Sequence, residues 1–329
     1  MKFATRVAQQ RQSRNLWVVD LAPRVESILE EVCEGLSRDQ KQLPPKLFYD
    51  RRGAQLFTAI CGTQAYYPTR TENAILDRRA VEIAREIGTG SVIIEFGAGE
   101  IEKIRRLLPS LRPAIYAALD LSRDQLVRSS SRLALDCPWL TVIAVIGDYG
   151  SELESELALP ADARRVVFFP GSTIGNFEPG QAQAFLQRAR ALVGWAGGVL
   201  IGVDLHKPVQ VLDLAYNDPE GYTAAFNLNL LARLNRELGA DFDLSAFSHE
   251  AFYNAARSRV EMHLRSARRQ RVNIASRLFT FARDETIHTE NSYKYTPDSF
   301  ARIARAAGFH ATRLWTDPAG WFGVFFLHN

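Results

Sequence analysis

SVIIEFGAGEIEK, residues 91–103, is a short apolar run that ends in a glycine turn. The run predicts a buried strand. Gly97 and Gly99 predict a turn whose backbone can press against a nucleotide. The dinucleotide fingerprint G-x-G-x-x-G needs a third glycine, and that position is Glu102. The stretch therefore asks for a nucleotide ligand that needs no third glycine.

Working outward, four more apolar runs follow: AIYAALD (114–120), LTVIAVIGD (140–148), RRVVFFPGS (164–172) and GGVLIGVD (197–204). Helical patterns lie between most of them. Ser122 and Gln125 have capping-box spacing, and GQAQAFLQRARALVG ends near Gly194. Upstream, AYYPTRTENAILDRRAVEIAREIG carries Thr69 and Glu72 at the same spacing and closes at Gly88, which predicts a helix of about five turns. Strands alternating with helices predict an α/β fold with a doubly wound, Rossmann-like parallel sheet. After 205 the rhythm breaks. TAAFNLNLLARLNRELGA predicts a helix, and VEMHLRS and RQRVNIASRLFTF alternate like the two strands of a hairpin. At 296 the α/β pattern returns, with Thr296 as cap, Pro297 at the first helical position and Gly308 after the helix. HATRLWTD and FGVFFLHN predict two strands around a DPAG turn. The expected domains are 69–205 and 296–329 for the nucleotide-binding part. Residues 206–295 form an inserted α+β substrate-binding part, and 1–68 are a mostly helical contribution to it.

Bulk properties narrow the function. A net charge of +3 with scattered arginines argues against nucleic acid; RSARRQR (265–271) is expected to be a solvated strand face. No window reaches the apolar length of a membrane span, and MKFATRVAQQRQSRN has no signal core. Cys33, Cys61 and Cys137 show no metal spacing and cannot all pair. A cytoplasmic protein without metal is expected, with a monomer as the working assumption.

In doubly wound sheets ligands sit beyond the carboxyl ends of the strands. Acids stand there in series. Glu95 closes the first strand, Asp120 the second and Asp148 the third, with Tyr149 beside it. A carboxylate after the second strand suits ribose hydroxyls, and Asp148 with Tyr149 suits an adenine. Lys103 is placed to reach a ligand carboxylate. A strand-terminal aspartate is often only a helix cap, but the series favours S-adenosylmethionine, which has no pyrophosphate, over NAD.

Further motifs are LPPKLFYDRRGAQLF (43–57), AYYPTRTE (65–72), FPGSTIGNFEP (169–179), AYNDPEGYTAAFN (215–227), NRELGADFDL (235–244), RVEMHLRS (259–266), TENSYKY (289–295) and WTDPAGWFGV (315–324). Together, in order from about residue 25 onward, they resemble the histidine-specific Nα-methyltransferases of ergothioneine biosynthesis. The resemblance implies a class I methyltransferase fold that uses S-adenosylmethionine to methylate free L-histidine, up to three times, to hercynine. It places the cofactor on Gly97, Gly99, Lys103, Asp120, Asp148 and Tyr149. It places the amino-acid end of the substrate on Asn176, Tyr216, Tyr66 and Tyr49, the imidazole on Glu290 and Ser292, and a pocket wall at Met262. Two positions depart from the family pattern: Glu100 brings a negative group into the glycine loop, and Pro170 replaces an apolar residue.

Taken singly, each substrate residue has a plainer reading. Glu290 would be solvated on a hairpin, Asn176 would cap the next helix, and Tyr216 would be core. No histidine or lysine in these motifs stands out as a base, so the amine proton is expected to leave to water through the tyrosines. Two rivals remain: a methyltransferase for another amine such as tryptophan, and a cofactor-binding protein without turnover. A dehydrogenase is less favoured.

Overall fold

The computed structural model describes residues 9–21, 25–147, 159–160 and 162–329. Asp148 and Tyr149 lie outside the described residues. The strands in chain order are β1 (Gln9–Arg11), β2 (Leu16–Asp20), β3 (Lys41–Gln42), β4 (Val92–Phe96), β5 (Ile115–Asp120), β6 (Thr141–Ile146), β7 (Arg165–Phe169) and β8 (Gly198–Asp204). They continue with β9 (Phe247–Asn254), β10 (Arg259–Ser266), β11 (Gln270–Ile274), β12 (Arg277–Phe281), β13 (Thr286–Tyr293), β14 (Ala311–Thr316) and β15 (Phe322–His328). The described residues divide into two compact units: those within 9–21, 70–147, 159–160, 162–205 and 295–329 form the first, and 25–69 with 206–294 form the second.

The first unit is built on a sheet of order β1-β2-β6-β5-β4-β7-β8-β15-β14. From β2 to β8 neighbouring strands run parallel. β15 runs antiparallel between β8 and β14. The five apolar runs became β4 to β8, and β4 and β8 are buried along their whole length. Such continuous burial is what helices on both faces of a parallel sheet require. The chain order runs β4, β5, β6 to one side and β7, β8 to the other. The order therefore reverses at β4, and the Gly97–Gly99 turn opens at the crevice where such sheets bind ligands. Helix Pro179–Val193 starts with a reciprocal Glu178–Gln181 capping box and ends at Gly194 with φ 68°. Helix Pro297–Ala306 is capped by Thr296 together with Ser299.

Three expectations are corrected. Residues 1–68 do not all join the second unit: helices Val25–Leu36 and Arg51–Gly62 do, but β1 and β2 extend the sheet of the first unit, where β2 pairs in parallel with β6. Leu16, Val18 and Val19 of β2 are buried, so a short alternating run was filled in by tertiary pairing. Helix Tyr67–Ile87 begins ahead of Thr69, and Glu72 is not part of a cap. VEMHLRS is not a hairpin partner of the following segment, because RQRVNIASRLFTF folds on itself as the β11–β12 pair. Its turn residues, Ala275 and Ser276, both have positive φ, at 45° and 68°. Tight hairpin turns demand that conformation, but Asn-Gly usually announces it.

The second unit carries a four-stranded sheet of order β3-β13-β10-β9. Helix Tyr222–Leu238 packs on helix Arg51–Gly62 and on β9 and β10. An aromatic cluster fills the space between: Phe48 stacks on Phe226 at 4.5 Å, and Tyr49 meets Phe57 and Phe226 edge-on. β10 and β13 carry an irregularity that matters below. Met262 pairs with Glu290, but His263 pairs with His288, so Thr289 is an extra residue in β13. Among the described residues no helix is long and apolar enough to cross a membrane.

Candidate active site

In the first unit, Gly97 and Gly99 have φ of 69° and 52°, a conformation that glycine adopts without strain. The Gly99 N–H donates to Asp120 Oδ2 at 2.9 Å, and the Ser122 N–H donates to Asp120 Oδ1 at 2.8 Å. Burial pushes the Asp120 carboxyl above the usual range, and these backbone donors oppose that rise. The Ser122 side chain and the Leu121 backbone act on the carboxyl in the same direction. Asp120 thus ties the glycine turn to the end of β5. The predicted helix start at Ser122 is correct, although its side chain makes no capping bond.

Lys103 was expected to reach a ligand carboxylate. In the structure its Nζ donates to Glu72 Oε2 at 2.6 Å. Glu72 is 1% exposed, and it also accepts the Gly171 N–H, at 3.0 and 2.9 Å from its two oxygens. Glu72 therefore binds Lys103 to the segment after β7, a role that the helix pattern did not reveal. The neighbours leave it no slack. A Cβ on Gly202 would lie 2.0 Å from Glu72 Oε1, and one on Gly171 would lie 3.1 Å from Lys103 Nζ. Glu95, also buried, accepts from the Tyr116 hydroxyl at 2.6 Å, and burial raises its pKa to about 8.

Asn176 ends the 3₁₀ turn Thr173–Asn176. The next helix is capped by Glu178, so the plainer reading of Asn176 as its cap does not hold. Just upstream, the Ser172 hydroxyl accepts the Asp204 N–H at 2.9 Å.

The remaining predicted residues lie in the second unit. Cross-strand partners share a face of a sheet, and β10 is regular against β9, so Met262 and His263 point to opposite faces. The extra Thr289 therefore puts Glu290 on the Met262 face and His288 on the other, although they are two residues apart. Thr289 itself is anchored by its hydroxyl, which donates to Asn227 Oδ1 and the Met262 carbonyl. From Glu290 onward the period of two returns and Ser292 follows on its side, with Lys294 directly after the end of β13. The Tyr216 hydroxyl donates to Ser292 Oγ at 2.6 Å, and Lys294 Nζ donates to Ser292 Oγ at 2.6 Å and to the Tyr216 oxygen at 3.2 Å. Tyr66 meets Tyr216 edge-on at 6.2 Å and Phe57 at 6.3 Å. Burial, then Tyr216, Cys61 and Glu290, push the Tyr66 phenol well above its ordinary value. Burial also raises Glu290 to about 7, against the pull of Lys294.

Two plain readings therefore fall. Glu290 is half-buried on β13 rather than fully solvated, and Tyr216 is not merely core. Lys294, 2% exposed, is the residue that the sequence reading passed over. It stands in TENSYKY four positions after Glu290, and the strand period was the signal that could have found it.

On the opposite face, Glu261, His263 and His288 bring ligand atoms within 4.8 Å of one another. The His263 and His288 rings stack at 4.8 Å with 16° between planes, so their in-plane lone pairs run side by side and do not converge. Arg259 donates to Glu261 at 2.7 Å and to the Tyr293 hydroxyl at 2.7 Å. Although burial pushes Glu261 up, Arg259 and His263 hold it below the usual range. The cluster is a stacked, ion-paired brace for the sheet rather than a metal centre.

Comparison with known proteins shows the family. The family described as "Histidine-specific methyltransferase, SAM-dependent" matches residues 28–329. A histidine N-alpha-methyltransferase of Mycobacterium tuberculosis is 39% identical over 304 residues, covering 91% of this chain and 94% of that protein. One from Mycolicibacterium smegmatis is 39% identical over 305 residues, with the same coverage of 91% and 94%. Ergothioneine biosynthesis protein 1 of Neurospora crassa is 30% identical over 332 residues, covering 93% of this chain and 36% of that longer protein. The glycine turn and the sheet order fit S-adenosylmethionine, the cofactor of this enzyme family. The chain belongs to the S-adenosylmethionine-dependent, histidine-specific methyltransferases.

Proposed function

We propose that the protein methylates the α-amino nitrogen of free L-histidine, up to three times, to give hercynine, as ergothioneine biosynthesis requires. One observation supports this most directly: Glu290, held at a pKa of about 7 by burial, stands on the same strand face as the Ser292 hydroxyl. Among the described residues its carboxylate has no hydrogen-bond or ion-pair partner. An imidazole N–H supplies the missing donor, with a charge-assisted bond of about 1.5–3 kcal/mol. A phenylalanine ring would leave the carboxylate unpaired, and sites of that kind reject analogues strongly.

S-adenosylmethionine supplies an electrophilic methyl group on a sulfonium. The protein's task is placement, because a neutral amine in near-attack geometry needs no covalent help. Gly97, Gly99 and Asp120 hold the nucleoside, with Lys103 beside them. Asp148 and Tyr149 are assigned to the adenine side. Asn176, Tyr49, Tyr66 and Tyr216 are assigned to the amino-acid end, with Met262 as wall. Tyr66, its phenol pushed up by burial, stays neutral, so it relays a proton rather than keeping one. The trimethylated product is a permanent cation, and the tyrosine faces accept it by cation–π attraction of about 0.5–2 kcal/mol. A reducing cytoplasmic setting suits Cys33, Cys61 and Cys137, none of which is joined in a disulfide.

Mass spectrometry of histidine incubated with the protein and cofactor is expected to show up to three added methyl groups. Glu290→Ala is expected to lower kcat/KM for histidine by about 10- to 150-fold, the equivalent of that bond, with unchanged affinity for S-adenosylhomocysteine. A variant that still prefers histidine to phenylalanine as strongly as the parent would refute the assignment.

A further inference from the structure

Lys294 belongs to no role assigned above, yet it is among the most buried charged side chains of the protein. Its ammonium offers three donors and no acceptor. Two of those donors are aimed at neighbours that are themselves ambivalent, the Ser292 and Tyr216 hydroxyls. A hydroxyl pair alone can run its hydrogen bond in either direction. The ammonium lies closer to Ser292 Oγ, at 2.6 Å, than to the Tyr216 oxygen, at 3.2 Å, and a phenol is the stronger donor of the two hydroxyls, so Ser292 Oγ takes one bond from the ammonium and one from the Tyr216 hydroxyl. Both lone pairs of Ser292 are then filled, and its own O–H is left to donate elsewhere. Glu290, two residues earlier on the same face, is the opposite kind of group, an acceptor. Alternate residues of a strand lie about 6–7 Å apart. That spacing suits a five-membered ring held between two hydrogen bonds of about 2.8 Å each.

We propose that Lys294 is the positioning residue that fixes the direction of the Tyr216–Ser292 hydrogen-bond chain, so that Ser292 donates to one ring nitrogen of histidine while Glu290 accepts from the other. The site then selects a single neutral imidazole tautomer. This rests on the histidine reading above and adds to it. A carboxylate alone selects any ring with an N–H, indole included; a donor opposite the carboxylate demands a ring that also carries a bare nitrogen. Among the described residues the titratable groups that interact with the Glu290 carboxyl are Lys294, directly after β13, and Tyr66. Lys294 favours the ionised form of Glu290, against the burial that raises it to about 7.

The test is the ¹⁵N NMR spectrum of ring-labelled histidine bound to the protein with S-adenosylhomocysteine, at pH 8. The expected result is one protonated and one bare ring nitrogen, each at a fixed position. Lys294→Met, provided that it still binds S-adenosylhomocysteine, is expected to average the two nitrogens. It is also expected to reduce the ratio of histidine to tryptophan turnover at least tenfold, and Lys294→Arg is expected to restore both. A Lys294→Met protein with the parental single tautomer and selectivity would overturn the proposal. So would a bound imidazolium, with both nitrogens protonated, in the parent protein; that spectrum decides even where the methionine variant does not fold. Failure of the parent to bind histidine at all would sink the functional reading instead, and this proposal with it.

Discussion

At the scale of single residues, Glu290 carries the sharpest prediction. Its carboxyl titrates at about 7 in the free protein, so about half the molecules hold a proton there at pH 7. A hydrogen bond from an imidazole N–H favours the charged form and lowers that pKa. Binding neutral histidine at pH 7 should therefore release roughly half a proton from this group. Calorimetry in buffers of different ionisation enthalpy measures the release, and Glu290→Gln should abolish that portion of it. Equal proton release by the two proteins would show that Glu290 does not meet the substrate. The residue types of this site were legible where they stood in a motif, as Glu290, Ser292 and Tyr216 did. Lys294 and Glu72 were not, because lysine usually lies on a solvated face and a glutamate near a helix start usually caps it. Their burial comes from tertiary neighbours, Tyr216 for the one and the Gly171 N–H for the other, which no local pattern announces.

At the scale of elements, the parallel strands and their crossover helices were legible because continuous apolar runs and capping residues are local signals. The β11–β12 hairpin was not, because Ala275 and Ser276 hide a turn that asks for positive φ at both positions. The same mismatch predicts a gain. Replacing the pair by Asn-Gly removes strain at two left-handed residues and should stabilise the protein by about 0.5–1 kcal/mol. Chemical denaturation should show a higher midpoint with an unchanged slope. An unchanged or lower midpoint would mean that the hairpin does not limit stability.

At the scale of the whole molecule, pH dependence tests the burial of the histidine brace. Burial first, and His263 beside it, lower His288 to about 4, against an ordinary value of 6.5. Between those values the unfolded chain binds a proton that the folded protein refuses. The His288 contribution to stability is therefore intact above pH 6.5 and is lost as the pH falls toward 4, by up to about 3 kcal/mol. Glu95, raised to about 8 by burial, works in the opposite sense, costing stability as the pH rises from 4.5 to 8. The His288 effect is thus isolated as a difference: Tm measured from pH 8 to pH 5 should fall less for His288→Phe than for the parent, and parallel curves would contradict the burial of a neutral ring. The β13 bulge extends this to the gene. A triplet lost at Thr289 would keep every downstream amino acid in frame yet turn Glu290 and Ser292 toward the histidine brace, so a variant missing one residue should fold around its sheet, still hold S-adenosylhomocysteine in a binding assay, and be blind to histidine.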